Sequence, residues 1–146
     1  MVSVVLELIA PRLLGPALMV AAAIIVKGYT DVGDGFSAGV IVGTAVALRY
    51  VVLGAERAER ELPVLRHAPR IVVAGLLLAL AVGFLGVVSG DPPFTHLPSP
   101  EGDVVKLGTL ELITAVLFDV GVFMLVTGSL IVLVHHLARL VAGDDG

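Results

Sequence analysis

Apolar residues in this chain gather in four long blocks, at 4–26, 35–54, 71–90 and 110–134, separated by short polar stretches. The third block has no charged side chain in twenty residues, enough as a helix at about 1.5 Å per residue to cross a ~30 Å hydrocarbon layer. The second carries one charge, Arg49, close enough to its end to snorkel. The fourth holds Glu111 near its start and Asp119 well inside. Glu7, Pro11, Arg12 and Pro16 interrupt the early half of the first block, which is expected to begin as an interfacial or kinked piece. The pattern predicts an all-α, polytopic membrane bundle of about four transmembrane helices, with residues 1–146 forming one membrane domain.

Composition agrees. Of 146 residues 58% are hydrophobic and 15% charged, and the mean hydropathy is +1.06, whereas soluble domains carry about 25% charge. There is no cysteine, which removes disulfides, thiolate metal sites and cysteine catalysis. A net charge of -4 is a poor match to nucleic acid. The opening residues lack the basic start and cleavage pattern of a removable leader, so the first block is expected to remain as a span.

Cations set the expected orientation. The 55–70 connection, AERAERELPVLRHAPR, holds Arg57, Arg60, Arg66 and Arg70, while 91–109 holds only Lys106. The 55–70 segment is therefore expected to be a cytoplasmic loop, with both termini on that side and 91–109 outside.

The stretch TDVGDGFS, residues 30–37, offers several ligand loops that its spacing rejects. Glycines stand where an EF-hand needs oxygen ligands, and no Gly-Lys-Ser/Thr follows for a phosphate loop. A G-x-G-x-x-A match at Gly33, Gly35 and Ala38 lies between spans, away from the strand and helix that would give it meaning. A helix start fits better, with Asp34 capping the span from Gly35 and Gly33 supplying a positive φ. Gly35, Gly39, Gly43 and Ala47 then form a small-residue stripe, as do Gly75, Ala79 and Gly83 on the third span. Both suit close helix packing, within the chain or with neighbouring proteins.

Asp119 lies nine residues into the fourth block, about 13 Å along the axis. It suits a proton or cation relay, or a buried anchor paired with a neighbour. Glu111, eight positions earlier, is turned about 80° from it; it borders the same groove or faces the interface. His135 and His136 are expected to complement the last helix's dipole. Lys27 is expected to snorkel at the outer end of the first span. No catalytic set, cofactor cradle or metal-ligand set emerges.

Two stretches carry a resemblance. Residues 28–39, with Gly28, Gly33, Gly35, Phe36 and Gly39, resemble the G-H-x-x-P-G-G-G-F-x-x-G pattern of MnhB or MrpB, the B-type component of Mrp-type multisubunit Na+/H+ antiporters. Glu111, Ala115, Phe118, Asp119, Gly121, Val122, Val126 and Gly128 follow that family's last-span pattern. Tyr29, Val32 and Asp34 depart from it. The resemblance implies a bacterial or archaeal inner-membrane component of a hetero-oligomer that includes large complex I-like subunits, surrounded by lipid and exchanging Na+ for H+. In it, residues 33–36 and Gly39 would serve assembly, Gly43, Gly75, Gly83, Gly121 and Gly128 helix packing, and Asp119 and Glu111 the ion path. A scaffold component of a redox-driven, hydrogenase-type pump is the alternative it implies.

Overall fold

The computed structural model describes residues 4–27, 33–88 and 104–143, with the side chains of 86, 104–112 and 142 set aside. Among these residues there is no strand. Helices α1 (Val4–Lys27), α2 (Asp34–Leu53), α3 (Ala55–Glu61), α4 (Ala68–Val88) and α5 (Val104–Gly143) follow in order, with a 3-10 turn over Pro63–His67. Four of them, α1, α2, α4 and α5, are long and apolar enough to cross a membrane.

The last helix exceeds the block that announces it. Its apolar stretch was expected at 110–134, yet α5 runs from Val104 to Gly143, so 104–109 of the expected outer connection is helical and 91–103 lies outside the described residues. Hydropathy marks where side chains leave lipid, while helical hydrogen bonds continue until the backbone meets a breaker. The 55–70 connection is likewise not an open loop. AERAERE forms α3, because Glu56 and Arg60, and Arg57 and Glu61, stand four apart and pair at 3.0 and 3.2 Å. Helix α1 is continuous through Pro11 and Pro16, although each proline withholds an amide from the ladder. Arg12 folds back on its own helix and donates to the Leu8 carbonyl at 2.7 Å.

Helix α5 is the centre of the bundle, packed on α2 along one side and on α4 along another, with α1 held chiefly by α2. The glycine stripes make these contacts inside the chain. A Cβ on Gly39 would lie 2.8 Å from the Val126 Cβ, and one on Gly35 would strike the Asp119 backbone. On the other side, a Cβ on Gly75 would come within 2.6 Å of the Gly121 carbonyl oxygen and the Leu125 amide nitrogen, and one on Gly128 within 2.8 Å of Val72. Gly43 meets Leu130, and Gly83 is buried. In lipid, where apolar burial gives helices no preference for one another over acyl chains, such close van der Waals contact is the main source of cohesion.

Replacing Gly75 with Ala is therefore expected to cost roughly 1–3 kcal/mol through overpacking against backbone. Gly15→Ala, in α1 with nothing within 4 Å, is expected to be neutral or stabilising by about 0.5–1 kcal/mol. SDS-titration unfolding of the purified protein, followed by circular dichroism, separates the two.

Candidate functional site

The chain enters α2 through Gly33, whose φ of 122° is open to glycine and strained for other residues. Gly33 itself is the N-cap, and no side chain caps the helix. The expected cap by Asp34 is thus corrected: Asp34 is already helical, in the first turn, where a negative charge suits the positive end of the helix dipole. Its place inside the helix gives it helical φ and ψ, which a capping residue does not have.

From this start α2 lies directly on α5. Gly35 meets the Asp119 backbone and Gly39 meets Phe123 and Val126. Thr127 Oγ1 donates to the Gly39 carbonyl at 3.3 Å in a buried contact. Two residues beyond Asp119, Gly121 packs on Gly75 and Ala79 of α4. Asp119 therefore sits where α5 is gripped from both sides, and it is 2% exposed, the largest fully buried side chain of those described. An aspartate at the centre of a membrane helix costs ~2.5–3.5 kcal/mol on insertion scales. The first turn of α2, the positive end of that helix's dipole, is packed against its backbone.

The other expected site residues are distributed differently. Phe36 is 58% exposed and points away from the contact. Glu111 is part of α5, but its side chain falls outside the described residues, as do residues 28–32, which complete the loop motif. Lys27 ends α1.

At the opposite end of the bundle is a polar network that sequence reasoning missed. Arg49 does not snorkel: its side chain is 7% exposed and donates to Glu61 at 2.7 Å. Arg57 reaches the other oxygen of Glu61 at 3.2 Å. Glu59, on the same short helix, contacts His135 Nδ1 at 2.6 Å, accepts from Tyr50 at 3.4 Å and faces Arg139 at 4.0 Å. His135 is thus tied to α3, and because α5 continues to Gly143 it stands too far from the helix end to serve the dipole. His136 contacts the Val132 carbonyl of its own helix at 2.8 Å. The signal available in the sequence was the four-residue charge spacing of AERAERE, which marks a helix where a loop was expected.

The stretches that meet at Asp119 both lie within the part of the chain that a family model matches. A model described as "Domain related to MnhB subunit of Na+/H+ antiporter" matches residues 5–132. The chain belongs to the MnhB family. Among its relatives, the Na(+)/H(+) antiporter B subunit of Bacillus subtilis is 30% identical over 122 residues, covering 84% of this chain and 83% of that one. The protein of the same description from Alkalihalophilus pseudofirmus is 29% identical over 112 residues, covering 77% and 76%. The probable K(+)/H(+) antiporter A/B subunit of Rhizobium meliloti is 32% identical over 121 residues, which are 83% of this chain and 12% of that far longer protein. With four apolar helices and this membership, the MnhB-family chain is a multi-pass membrane protein.

The network at the α3 end has a pH consequence. The hydrogen bond from Arg49, reinforced by the one from Arg57, holds the Glu61 carboxyl below its ordinary value of 4.5. A carboxylate whose folded pKa is depressed stabilises the fold above its unfolded pKa, and that contribution disappears as pH falls through the folded value. The wild-type protein is therefore expected to lose stability on acidification below about pH 4.5, and Glu61→Gln to remove that part of the loss. Unfolding midpoints of both proteins across this range, at constant salt, provide the check.

Proposed function

We propose that this MnhB-family chain is the B-type subunit of a multisubunit cation/proton antiporter, in which Asp119 borders the ion path. The observation that carries the reading is the burial of Asp119 at the junction of α2 and α5, where the two family stretches converge. Buried ionisable residues in membrane helices are costly and concentrate on substrate and proton pathways. An ion that exchanges for protons needs such a group, able to hold either a proton or a cation. Relatives named as antiporter subunits support a chain that works as part of an assembly, whose larger, complex I-like members would carry most of the proton path.

Orientation follows the cations. Arg57, Arg60, Arg66 and Arg70 support a cytoplasmic side for α3 and the adjoining helix ends, with Arg139 and the histidines of α5 on the same side. The α1–α2 turn then faces outward. The names of the relatives differ in their cation, sodium in two and potassium in one, so both ions belong in the assay.

The deciding experiment is cation-dependent proton exchange in inverted vesicles carrying the whole complex, with assembly verified by co-purification. Asp119→Asn, nearly isosteric, is expected to reduce exchange by at least about 10²-fold, the lower end of the scale of a lost proton-transfer group, with the complex intact. Undiminished exchange would remove Asp119 from the path. Loss of exchange only through loss of the complex would make it a structural anchor.

A further inference from the structure

Beside the point where Gly128 draws α4 onto α5, the bundle surface opens into a groove. A Cβ on Gly128 would lie 2.8 Å from Val72 and 3.2 Å from the Ala68 carbonyl oxygen. Next to this contact, Pro69 and Val72 of α4 and Ser129, Val132, Leu133 and His136 of α5 line a space of about 450 Å³. That is the size of a small-ligand cleft, roughly 300–1,000 Å³. The four α5 residues recur at helical spacing and share one face. Ser129 adds no polar demand, because its hydroxyl donates to the Leu125 carbonyl of its own helix at 2.7 Å. His136 is different. Its Nδ1 lies 2.8 Å from the Val132 carbonyl, which can only accept, so Nδ1 carries the proton and Nε2 is left for a second partner.

The groove crosses the membrane boundary. Val72 belongs to the uncharged run 71–90, and Ser129 and Val132 to the apolar block 110–134, whereas Arg70 and His136 lie just beyond those runs. One end is therefore at hydrocarbon depth and the other among head groups. Positive charge is in excess at that second end. Arg66, His67 and Arg70, all exposed, close the 3-10 turn and open α4, and Arg139 follows one turn beyond His136. The walls offer no acid against them, since neither 62–90 nor 120–143 contains one. The acids of α3 are engaged: Glu56 with Arg60, Glu61 with Arg49 and Arg57, Glu59 with His135 and Arg139. Arg66 shares an open cleft with Glu56 and Glu59, yet among the described residues neither it nor Arg70 enters an ion pair.

We propose that this groove binds an anionic phospholipid, with an acyl chain along Val72, Ser129 and Val132 and the phosphate at His136, in the field of Arg66 and Arg70. An amphiphile with an apolar chain and a negative head matches both ends of the groove. A free phosphate matches only the charged end, and an apolar helix only the other. Basic clefts between membrane helices bind anionic head groups in this way. The site stands apart from Asp119 and does not depend on the ion-path reading.

The test uses the complete complex in nanodiscs containing phosphatidylglycerol or phosphatidylcholine, each with a photoreactive diazirine on its acyl chain. After illumination, adducts on this chain are mapped to peptides. Both leaflets carry the same lipid, so the outcome does not depend on which way the chain faces. Adducts in 69–72 and 129–136 are expected to be at least about fivefold more abundant with phosphatidylglycerol, the effect of one basic residue at a membrane surface. Adducts on the exposed α1 residues Leu18 and Met19 should not distinguish the two lipids. Arg66→Gln combined with Arg70→Gln is expected to bring the preference down to about that of α1. Ser129→Phe, which fills the groove, should remove the adducts there and leave those on α1, which also reports that the complex is intact. Equal labelling of the wild-type groove by both lipids would reduce it to ordinary boundary lipid and overturn the proposal. A groove without adducts while α1 is labelled would mean that a neighbouring subunit covers it, and would overturn the proposal too.

Discussion

Close backbone approach along α5 is the constraint on which the rest of the molecule depends. A soluble bundle of this size would be held by burying apolar surface from water. Inside a bilayer that term is nearly absent between helices, and cohesion comes from contact distance and packing density. Glycine at 35 and 39 on one side, and at 75, 121 and 128 on the other, removes the side chains that would hold the axes apart. The same contacts set the rotation of α5, because only one orientation brings both sets of small residues into register.

That rotation has chemical consequences at both ends. Near the start of α2 it buries an aspartate whose charge is costly at membrane depth. Roughly 24 Å along the same axis it carries His135 against Glu59, where a short amphipathic helix has been folded back over the bundle by Gly54, at a φ of 77°. The acids of α3 serve two directions at once, pairing with arginines on their own helix and reaching inward to Arg49, Tyr50 and His135. The outcome is a bundle whose apolar middle is packed by small residues and whose α3 end is fastened by charge.

Long, uncharged blocks made the spanning helices legible, since a run such as 71–90 permits little else. The glycine stripes were legible as packing surfaces, though spacing alone does not reveal the partner, which is here α5 of the same chain. Asp119 stood out because its class is rare at that depth. What sequence reasoning lost was local and depended on tertiary context. Asp34 looked like a cap because its residue type prefers that place, but Gly33, whose positive φ the sequence does suggest, is itself the N-cap, which puts Asp34 one position inside the helix. Arg49 looked like a snorkelling residue because its acceptor, Glu61, is twelve positions away on a helix read as a loop. The full length of α5 escaped because its ends leave the apolar block while remaining helical.

An uninterrupted α5 also fixes an angular phase along the chain. Asp119 and His135 are sixteen residues apart on one helix, turned from each other by about 160°, and each must face a different neighbour. Inserting or deleting a single residue between them would swing one of the two by about 100°, aiming either the aspartate at lipid or the histidine away from its carboxylate. Length variation among natural homologues should therefore be excluded from 119–135 and collect in the connections, so that this stretch behaves as a ruler whose graduations cannot be edited one at a time.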